Sequence, residues 1–198
     1  SLDGAAVFST DVGPGNTLLD AFVRQHYPEH SYDPDGRLAA AGTPNGALLA
    51  ALLDHPFFAA PLPKTTGPEL FSPDYVLTAQ QRSHTASLSP TDLLATLTEF
   101  SAEGIYRAVR LAFGPKPRAA VYSSGGGMHN PTLMQAIARR LPGCSFADTH
   151  ALGVAPDAKE AVLFAVLANE ALAGSAVSIG AGRQRVPAVT MGKISLPG

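Results

Sequence analysis

The stretch Ala119-Ala120-Val121-Tyr122-Ser123-Ser124-Gly125-Gly126-Gly127-Met128-His129-Asn130-Pro131 runs from a short apolar segment through a glycine turn. The apolar residues 119–122 predict a strand, and residues 123–127 predict the turn that ends it. Asn130 is a preferred helix cap, and Pro131 suits the first helical position after it. This strand, turn and helix in direct succession are typical of an α/β protein.

A second turn of this kind lies near the start, at Asp11-Val12-Gly13-Pro14-Gly15-Asn16. Val7-Phe8 predicts the end of a strand before it, and Asn16 predicts the cap of a helix over about 16–27. Gly13 and Gly15 predict a backbone with positive φ or in close contact with a ligand. The Asp11 carboxylate would then face a helix N-terminus, where a phosphate or sugar oxygen can bind. This arrangement suits a catalytic base; the alternative is a tight turn with a solvated Asp.

The remaining elements extend the alternation of strands and helices. Residues 46–53 predict a short helix, whereas 57–90, rich in Pro, Thr and Ser with interspersed aromatics, predict an ordered irregular excursion. Ser89-Pro90 predicts the cap and first residue of a long helix. Residues 144–147 predict another strand, and 158–173, apolar almost all round, predict a buried helix. The pattern favours a three-layer α/β domain.

The composition is that of an ordinary globular protein: 198 residues, 45% hydrophobic, 15% charged, with a net charge of −2. The basic residues are scattered, so we expect no nucleic-acid partner. The single cysteine, Cys144, excludes an internal disulfide, and neither Cys nor His spacing predicts a protein-ligated metal. No apolar run approaches the roughly 18 residues of a membrane span, and the N-terminus does not resemble a signal peptide. A cytoplasmic protein is therefore expected.

Several other motifs allow both a functional and a structural interpretation. Gly125-Gly126-Gly127 would let a nucleotide base or ribose lie against backbone, or would simply be flexible. His129 could be an acid or base, but a hydrogen-bonding loop residue is favoured. Residues 64–67, Lys-Thr-Thr-Gly, could bind phosphate, although a solvated Lys is favoured. Asp157 and Glu160 match a capping box, which explains Glu160 without any function.

Taken together and in order, these stretches resemble the anhydro-N-acetylmuramic acid kinases of the actin/hexokinase-like superfamily. The residues that carry the resemblance are 11–16, 18–20, 32–36, 41–42, 63–67, Phe71, 95–100, 124–134, 157–161 and 191–194. The resemblance implies an α/β fold, a three-layer ribonuclease H-like lobe with extra helices. It implies that 1–198 form a single C-terminal kinase lobe, with 57–90 as an irregular excursion within it.

The resemblance also implies an activity: ATP-dependent opening of the 1,6-anhydro ring of anhydro-N-acetylmuramic acid with phosphorylation of O6, in cell-wall recycling. Asp11 matches the family's catalytic base, which activates a water to attack C1. The implied sugar-binding residues are Gly13, Gly15, Asn16 and Glu160. The implied nucleotide-binding residues are Gly125, Gly126, Gly127 and Asn130. Mg²⁺ would be held mainly by ATP, and the family implies a homodimer.

The sequence departs from the family pattern at three positions: Val12 for Thr, Thr65 for Ser, and Pro68 for Arg. The family's N-terminal lobe, with its ATP-phosphate loop, is expected to be absent, and we interpret the similarity of residues 1–4 to that loop as coincidence. We therefore expect the isolated chain to be inactive. Two alternatives remain open: a related kinase for another sugar, and a non-catalytic sugar-binding domain.

Overall fold

The computed structural model describes residues 8–176 and residue 190. The helices are α1 Asn16–His26, α2 Arg37–Ala40, α3 Gly46–Leu53, α4 Pro56–Ala59, α5 Pro73–Arg82, α6 Pro90–Phe113, α7 Pro131–Arg140 and α8 Lys159–Ala173; the strands are β1 Ala120–Ser123 and β2 Ser145–Asp148. Contacts divide the described residues into a main unit, Thr10–Asp148, and a second unit formed by the rest. The prediction of a single lobe stays a prediction.

The long helix α6 is the centre of the main unit. The Ser89 hydroxyl accepts the N–H of Asp92 at 3.1 Å, and Pro90 is the first residue, as the sequence predicts. Gly114 ends the helix at φ 85°. Most residues of its first half are buried, and α1, α2, α3 and α7 pack against it. The helix therefore organises the core of the main unit.

An aromatic cluster fills the core beside α6. Phe57, Phe58, Phe71, Tyr75 and Phe100 lie with neighbouring ring centroids 5.3 to 5.9 Å apart. Four of these rings come from the segment 57–90. This segment was predicted to be irregular, but helix α5 and most of helix α4 lie within it. Pro56 and Pro73 stand at the first helical position, where a proline starts a helix rather than breaking one.

The two strands form a parallel pair, from Ala120 beside Ser145 to Ser123 beside Asp148. Helix α7 connects them and packs on α6 around a second core, which contains Ala102, Leu133, Ala136, Ile137 and Leu141. Both predicted strands are confirmed, each shifted by one residue. Among the described residues the sheet has two strands, so the mixed α/β class is confirmed and the three-layer arrangement stays a prediction.

The second unit contains α8, whose predicted burial is wrong. Its large apolar side chains are 43% to 78% exposed, namely Val162, Leu163, Phe164, Val166 and Leu172. An apolar surface favours burial only where a neighbouring element covers it, and the helix's own pattern does not determine that. The capping box is wrong as well, because Ala158 occupies the N-cap and Glu160 is the second helical residue.

At the chain ends, Phe8 is not in a strand, while Val7 and residues 191–194 lie outside the described residues. Within residues 8–176, no helix combines the length and the apolar character needed to cross a bilayer.

Candidate active site

Asp11 lies at a pocket of about 380 Å³ in the main unit. The pocket is bounded by the glycine turn, the start of α1 and the segment 66–71. The backbone of the turn is paired with residues far along the chain, since Asp11 N–H donates to the Lys64 carbonyl at 2.9 Å. Lys64 N–H in turn donates to the Thr10 hydroxyl oxygen at 2.9 Å. These bonds fix the backbone that carries the Asp11 side chain.

One carboxylate oxygen of Asp11 is occupied by two donors. Oδ2 accepts the Thr66 N–H at 2.8 Å and the Thr65 hydroxyl at 2.8 Å. The Thr66 N–H, then the Thr65 hydroxyl, hold the pKa of Asp11 below its ordinary value, and partial desolvation opposes them. The group is therefore ionised at neutral pH. Among the described residues none donates to Oδ1, so this oxygen can accept a proton from a pocket ligand.

The glycine turn lies directly on α6. Gly13 has φ +142° and packs against the Phe58 ring, as expected of a glycine needed for its backbone. Gly15 has φ −95°, so of the two alternatives only the close approach of its backbone to a ligand stays a prediction. The sequence reasoning missed Gly104: a Cβ on it would lie 2.7 Å from the Val12 carbonyl oxygen. Its signal was a glycine inside a long helical pattern, where glycine weakens the helix and therefore suggests a packing reason.

Asn16 connects the two glycine turns. It was predicted as the cap of α1, but Gly15 is the N-cap and Asn16 is the first helical residue. Its side-chain amide instead lies 3.6 to 3.7 Å from the Cβ positions of Gly126 and Gly127. A Cβ at either glycine would lie in ordinary van der Waals contact with this amide, so the two motifs are close neighbours. The structure thus brings together two motifs that are more than a hundred residues apart.

A second pocket, of about 500 Å³, opens beside Asn16 and Gly126. Three carboxylates and the Arg24 guanidinium line it. Asp33 accepts the N–H groups of Leu38 and Ala39, and Asp35 pairs with Arg37. Asp20 accepts no hydrogen bond from the described residues, and partial burial raises its pKa against the effect of Arg24. Asp20 is therefore the carboxylate available to a ligand.

The second glycine turn follows β1 as the sequence predicts, although Ser123 still belongs to the strand. Gly125 has φ +80°, and Gly126–His129 form a single 3-10 turn. Gly126, His129 and Asn130 line the second pocket. Asn130, 9% exposed, accepts the Leu133 N–H at 3.0 Å, so its capping role is confirmed. Nucleotide binding by Gly125, Gly126, Gly127 and Asn130 stays a prediction.

Lys64 is half-buried and its ammonium is held by the protein rather than fully solvated, while phosphate binding by residues 64–67 stays a prediction. Its ammonium donates to the Phe57 carbonyl at 2.7 Å and lies 4.4 Å from the centroid of the Phe57 ring. Burial, then the positive charge of Arg107, lowers its pKa. The aromatic residues of 57–75 were the available signal, because the face of an aromatic ring attracts a lysine ammonium.

Two further expectations do not concern the two pockets: the role of Glu160 and metal binding by the protein. Glu160 is an exposed residue of the second unit, and its position near a sugar stays a prediction. In the part of the chain that the structure describes, no group of three or more His, Cys, Asp or Glu side chains is placed to hold a metal ion.

Comparison with known proteins gives a consistent match. The family model described as anhydro-N-acetylmuramic acid kinase matches residues 2–195. A protein of that name from Pseudoalteromonas atlantica is 50% identical over 198 residues, which cover 100% of this chain and 49% of that protein. One from Salinibacter ruber is 38% identical over 189 residues, 95% of this chain and 47% of that protein. The chain spans about half the length of the curated relatives it matches.

Proposed function

Because the chain belongs to the anhydro-N-acetylmuramic acid kinase family, we propose that it supplies the catalytic base and part of the nucleotide site for ATP-dependent phosphorylation of an anhydro sugar. We propose further that it forms a three-layer, C-terminal lobe of the actin/hexokinase-like type. The observation that carries the activity is the Asp11 carboxylate at its pocket, with Oδ2 occupied and Oδ1 free among the described residues.

In the proposed reaction, Asp11 Oδ1 accepts a proton from a water that attacks C1 of 1,6-anhydro-N-acetylmuramic acid. The C1–O6 bond breaks as the new C1–O bond forms, and O6 takes the γ-phosphoryl group of ATP. The products are N-acetylmuramic acid 6-phosphate and ADP. The depressed pKa of Asp11, caused first by the Thr66 N–H and then by the Thr65 hydroxyl, keeps the base deprotonated at neutral pH.

The second pocket suits the nucleoside end of ATP rather than its phosphates. Three carboxylates and one guanidinium line it, so hydroxyl and amino donors of ribose and base are favoured over anions. Gly125, Gly126 and Gly127 offer backbone against which a base can lie, and Asn130 lines the same pocket. Asp20 is the carboxylate placed to accept from a ribose hydroxyl.

A single carboxylate at the Asp11 pocket does not make a protein-held Mg²⁺ site. The residues present fit a Mg²⁺ ion carried by the ATP phosphates and water, where it would neutralise phosphate charge.

A coupled ADP-release assay with 1,6-anhydro-N-acetylmuramic acid tests the proposal in the full-length protein that contains this sequence. We expect turnover in the wild type and a fall of about 10²- to 10⁴-fold in Asp11→Asn, the usual contribution of a general base. Equal rates in both proteins would contradict the role of Asp11. Sugar binding without any ADP release would favour the non-catalytic sugar-binding alternative. We also expect the 198-residue chain alone to give little or no turnover.

A different sugar substrate is a second candidate, because two of the three family departures line the Asp11 pocket. Val12 and Pro68 both contact this cavity, where the family usually has Thr and Arg. Loss of a hydroxyl and of a positive charge would weaken binding of a carboxylate-bearing sugar. ADP release with a panel of anhydro and N-acetylated amino sugars, in the wild type and in Val12→Thr/Pro68→Arg, separates the two candidates.

The resemblance supports three further proposals: a homodimer, a cytoplasmic location and a role in cell-wall recycling. Sedimentation of the full-length protein tests the first. Fractionation of cells that produce it tests the second, and growth on recycled cell-wall fragments after deletion of its gene tests the third.

A further inference from the structure

The segment 64–66 contacts Asp11 in a way that the family motif does not explain. Thr65 is exposed, so its side chain is not required for packing, yet its hydroxyl donates to Asp11 Oδ2 at 2.8 Å. The adjacent Thr66 N–H donates to the same oxygen at 2.8 Å. Two donors on one carboxylate oxygen leave the other as the only reactive one. The two hydrogen bonds therefore hold the Asp11 side chain and also determine that Oδ1 is the oxygen exposed to a ligand.

We propose that Thr65 and Thr66 are positioning residues that fix Asp11 Oδ2 and thereby present Oδ1 to the pocket as the atom that takes the proton. This inference rests on the proposed function for the proton transfer itself. The geometry of the carboxylate stands independently of it.

The segment that carries the two donors is itself anchored. Thr10 and Lys64 exchange hydrogen bonds, 2.9 Å from the Lys64 N–H and 3.1 Å from the Thr10 hydroxyl. The Lys64 ammonium is bound to the Phe57 carbonyl at 2.7 Å, within the aromatic core. The donors therefore sit on a backbone tied to the core at one end and to the Asp11 turn at the other. Preorganised donors of this kind hold a group without reorganising during the reaction.

The charged groups around the turn do not account for this arrangement. Lys64 is engaged with Phe57, and Arg107 lies over the Phe58 ring, 6.0 Å from its centroid. Glu69 lies against Gly67 of the pocket wall, and Asp20 lines the second pocket. The pKa of Asp11 is lowered by the Thr66 N–H first and the Thr65 hydroxyl second, with no charge among the causes. Loss of the hydroxyl should therefore be visible in the titration of Asp11.

Two substitutions at Thr65 test the proposal in the full-length protein. Thr65→Val keeps the shape and removes the hydroxyl, whereas Thr65→Ser keeps the hydroxyl and is the matched control. For Thr65→Val we expect kcat to fall roughly tenfold, the equivalent of about one hydrogen bond to a charged group. The acid limb of its kcat/KM profile should move to higher pH, while KM for ATP stays within about twofold. Thr65→Ser should match the wild type on all three measures. Unfolding midpoints verify that both variants fold.

A ¹³C NMR titration of the Asp11 carboxyl, assigned with Asp11→Asn, needs no turnover. We expect the Asp11 pKa to rise in Thr65→Val and to be unchanged in Thr65→Ser. An unchanged Asp11 titration and an unchanged acid limb in Thr65→Val would overturn the proposal. A wild-type protein without turnover, in which the Asp11 pKa still responds to Thr65, would contradict the proposed function and keep the positioning of the carboxylate.

Discussion

Gly104 is the residue whose role is least apparent from sequence and most direct in the structure. It lies in the middle of α6, where alanine would ordinarily stabilise the helix by about 1 kcal/mol. The Val12 carbonyl oxygen occupies the space that a Cβ would need, at 2.7 Å. The glycine allows the Asp11 turn to rest on the helix.

We predict that Gly104→Ala lowers the unfolding free energy by about 1–3 kcal/mol, against its helix propensity, because overpacking outweighs the gain. Urea unfolding measures it. Gly46→Ala in α3 is the matched control, since nothing lies within 4 Å of its Cβ position, and it should be neutral or slightly stabilising. An increase in stability for Gly104→Ala would contradict the close approach.

A second prediction for a single residue concerns the effect of the Asp11 carboxylate on stability at different pH. Its folded pKa is depressed, first by the Thr66 N–H, then by the Thr65 hydroxyl. The stabilisation is therefore present above the unfolded pKa of about 3.9 and is lost as pH falls through the folded value. Urea unfolding should show Asp11→Asn less stable than the wild type at pH 7, with a gap that narrows below about pH 4. If the stability difference between the two proteins grew as the pH fell, the pKa of Asp11 would be raised by folding and not lowered, and the prediction would be wrong.

Among single residues, the sequence identified Asp11 but not the residues that donate hydrogen bonds to it. Asp11 and Gly13 could be found because a carboxylate before a glycine turn is a local pattern. Thr65 lies 54 residues from the oxygen to which it donates, and no periodicity encodes that distance. Asn16 was misassigned by one position, because Gly15 is also an acceptable N-cap and the choice depends on the chain entering the helix.

Among the elements, α7 has a cap that is also a candidate ligand-binding residue. Asn130 is 9% exposed and accepts the Leu133 N–H at 3.0 Å, while lining the second pocket. A loss of nucleotide affinity on substitution could therefore come from the cap or from the ligand.

Two substitutions separate these roles. We predict that Asn130→Ala lowers the unfolding free energy by about 1 kcal/mol, whereas Asn130→Ser, which can still cap, changes it by a few tenths at most. If Asn130 also contacts the nucleotide, calorimetry with ATP on the full-length protein should show weakened binding in both variants. Wild-type affinity in Asn130→Ser would leave Asn130 as a cap alone.

Whether an element could be predicted depended on whether its signals were local. Helices α3, α6 and α7 follow from caps, prolines and apolar spacing, which are read within a few residues. Helix α5 was missed because Pro73 lies in a Pro- and Ser-rich segment, where a helix start resembles a turn. The burial of α8 could not be predicted because it depends on a neighbour rather than on the helix.

Across the whole molecule, the apolar residues fall into two populations that composition does not distinguish. Leu94 of α6 is 0% exposed, whereas Phe164 of α8 is 66% exposed. We predict that Leu94→Ala costs about 2–5 kcal/mol and that Phe164→Ala changes stability by less than about 0.5 kcal/mol in this chain. Thermal or urea unfolding measures both. A cost for Phe164→Ala comparable with that for Leu94→Ala would mean that α8 is packed.

The contact between Asp11 and the segment 64–66 has a consequence for how the site comes into being. The chain must close a loop of 54 residues before the Asp11 carboxylate meets Thr65, so this contact forms with the tertiary fold and not with the local turn. A peptide carrying only the glycine turn would present an ordinary aspartic acid. If that turn were transplanted into another scaffold, the motif would be present but no donors would hold Asp11 Oδ2. Transfer of this catalytic base to another protein would therefore require both the Asp11 turn and the distant segment 64–66.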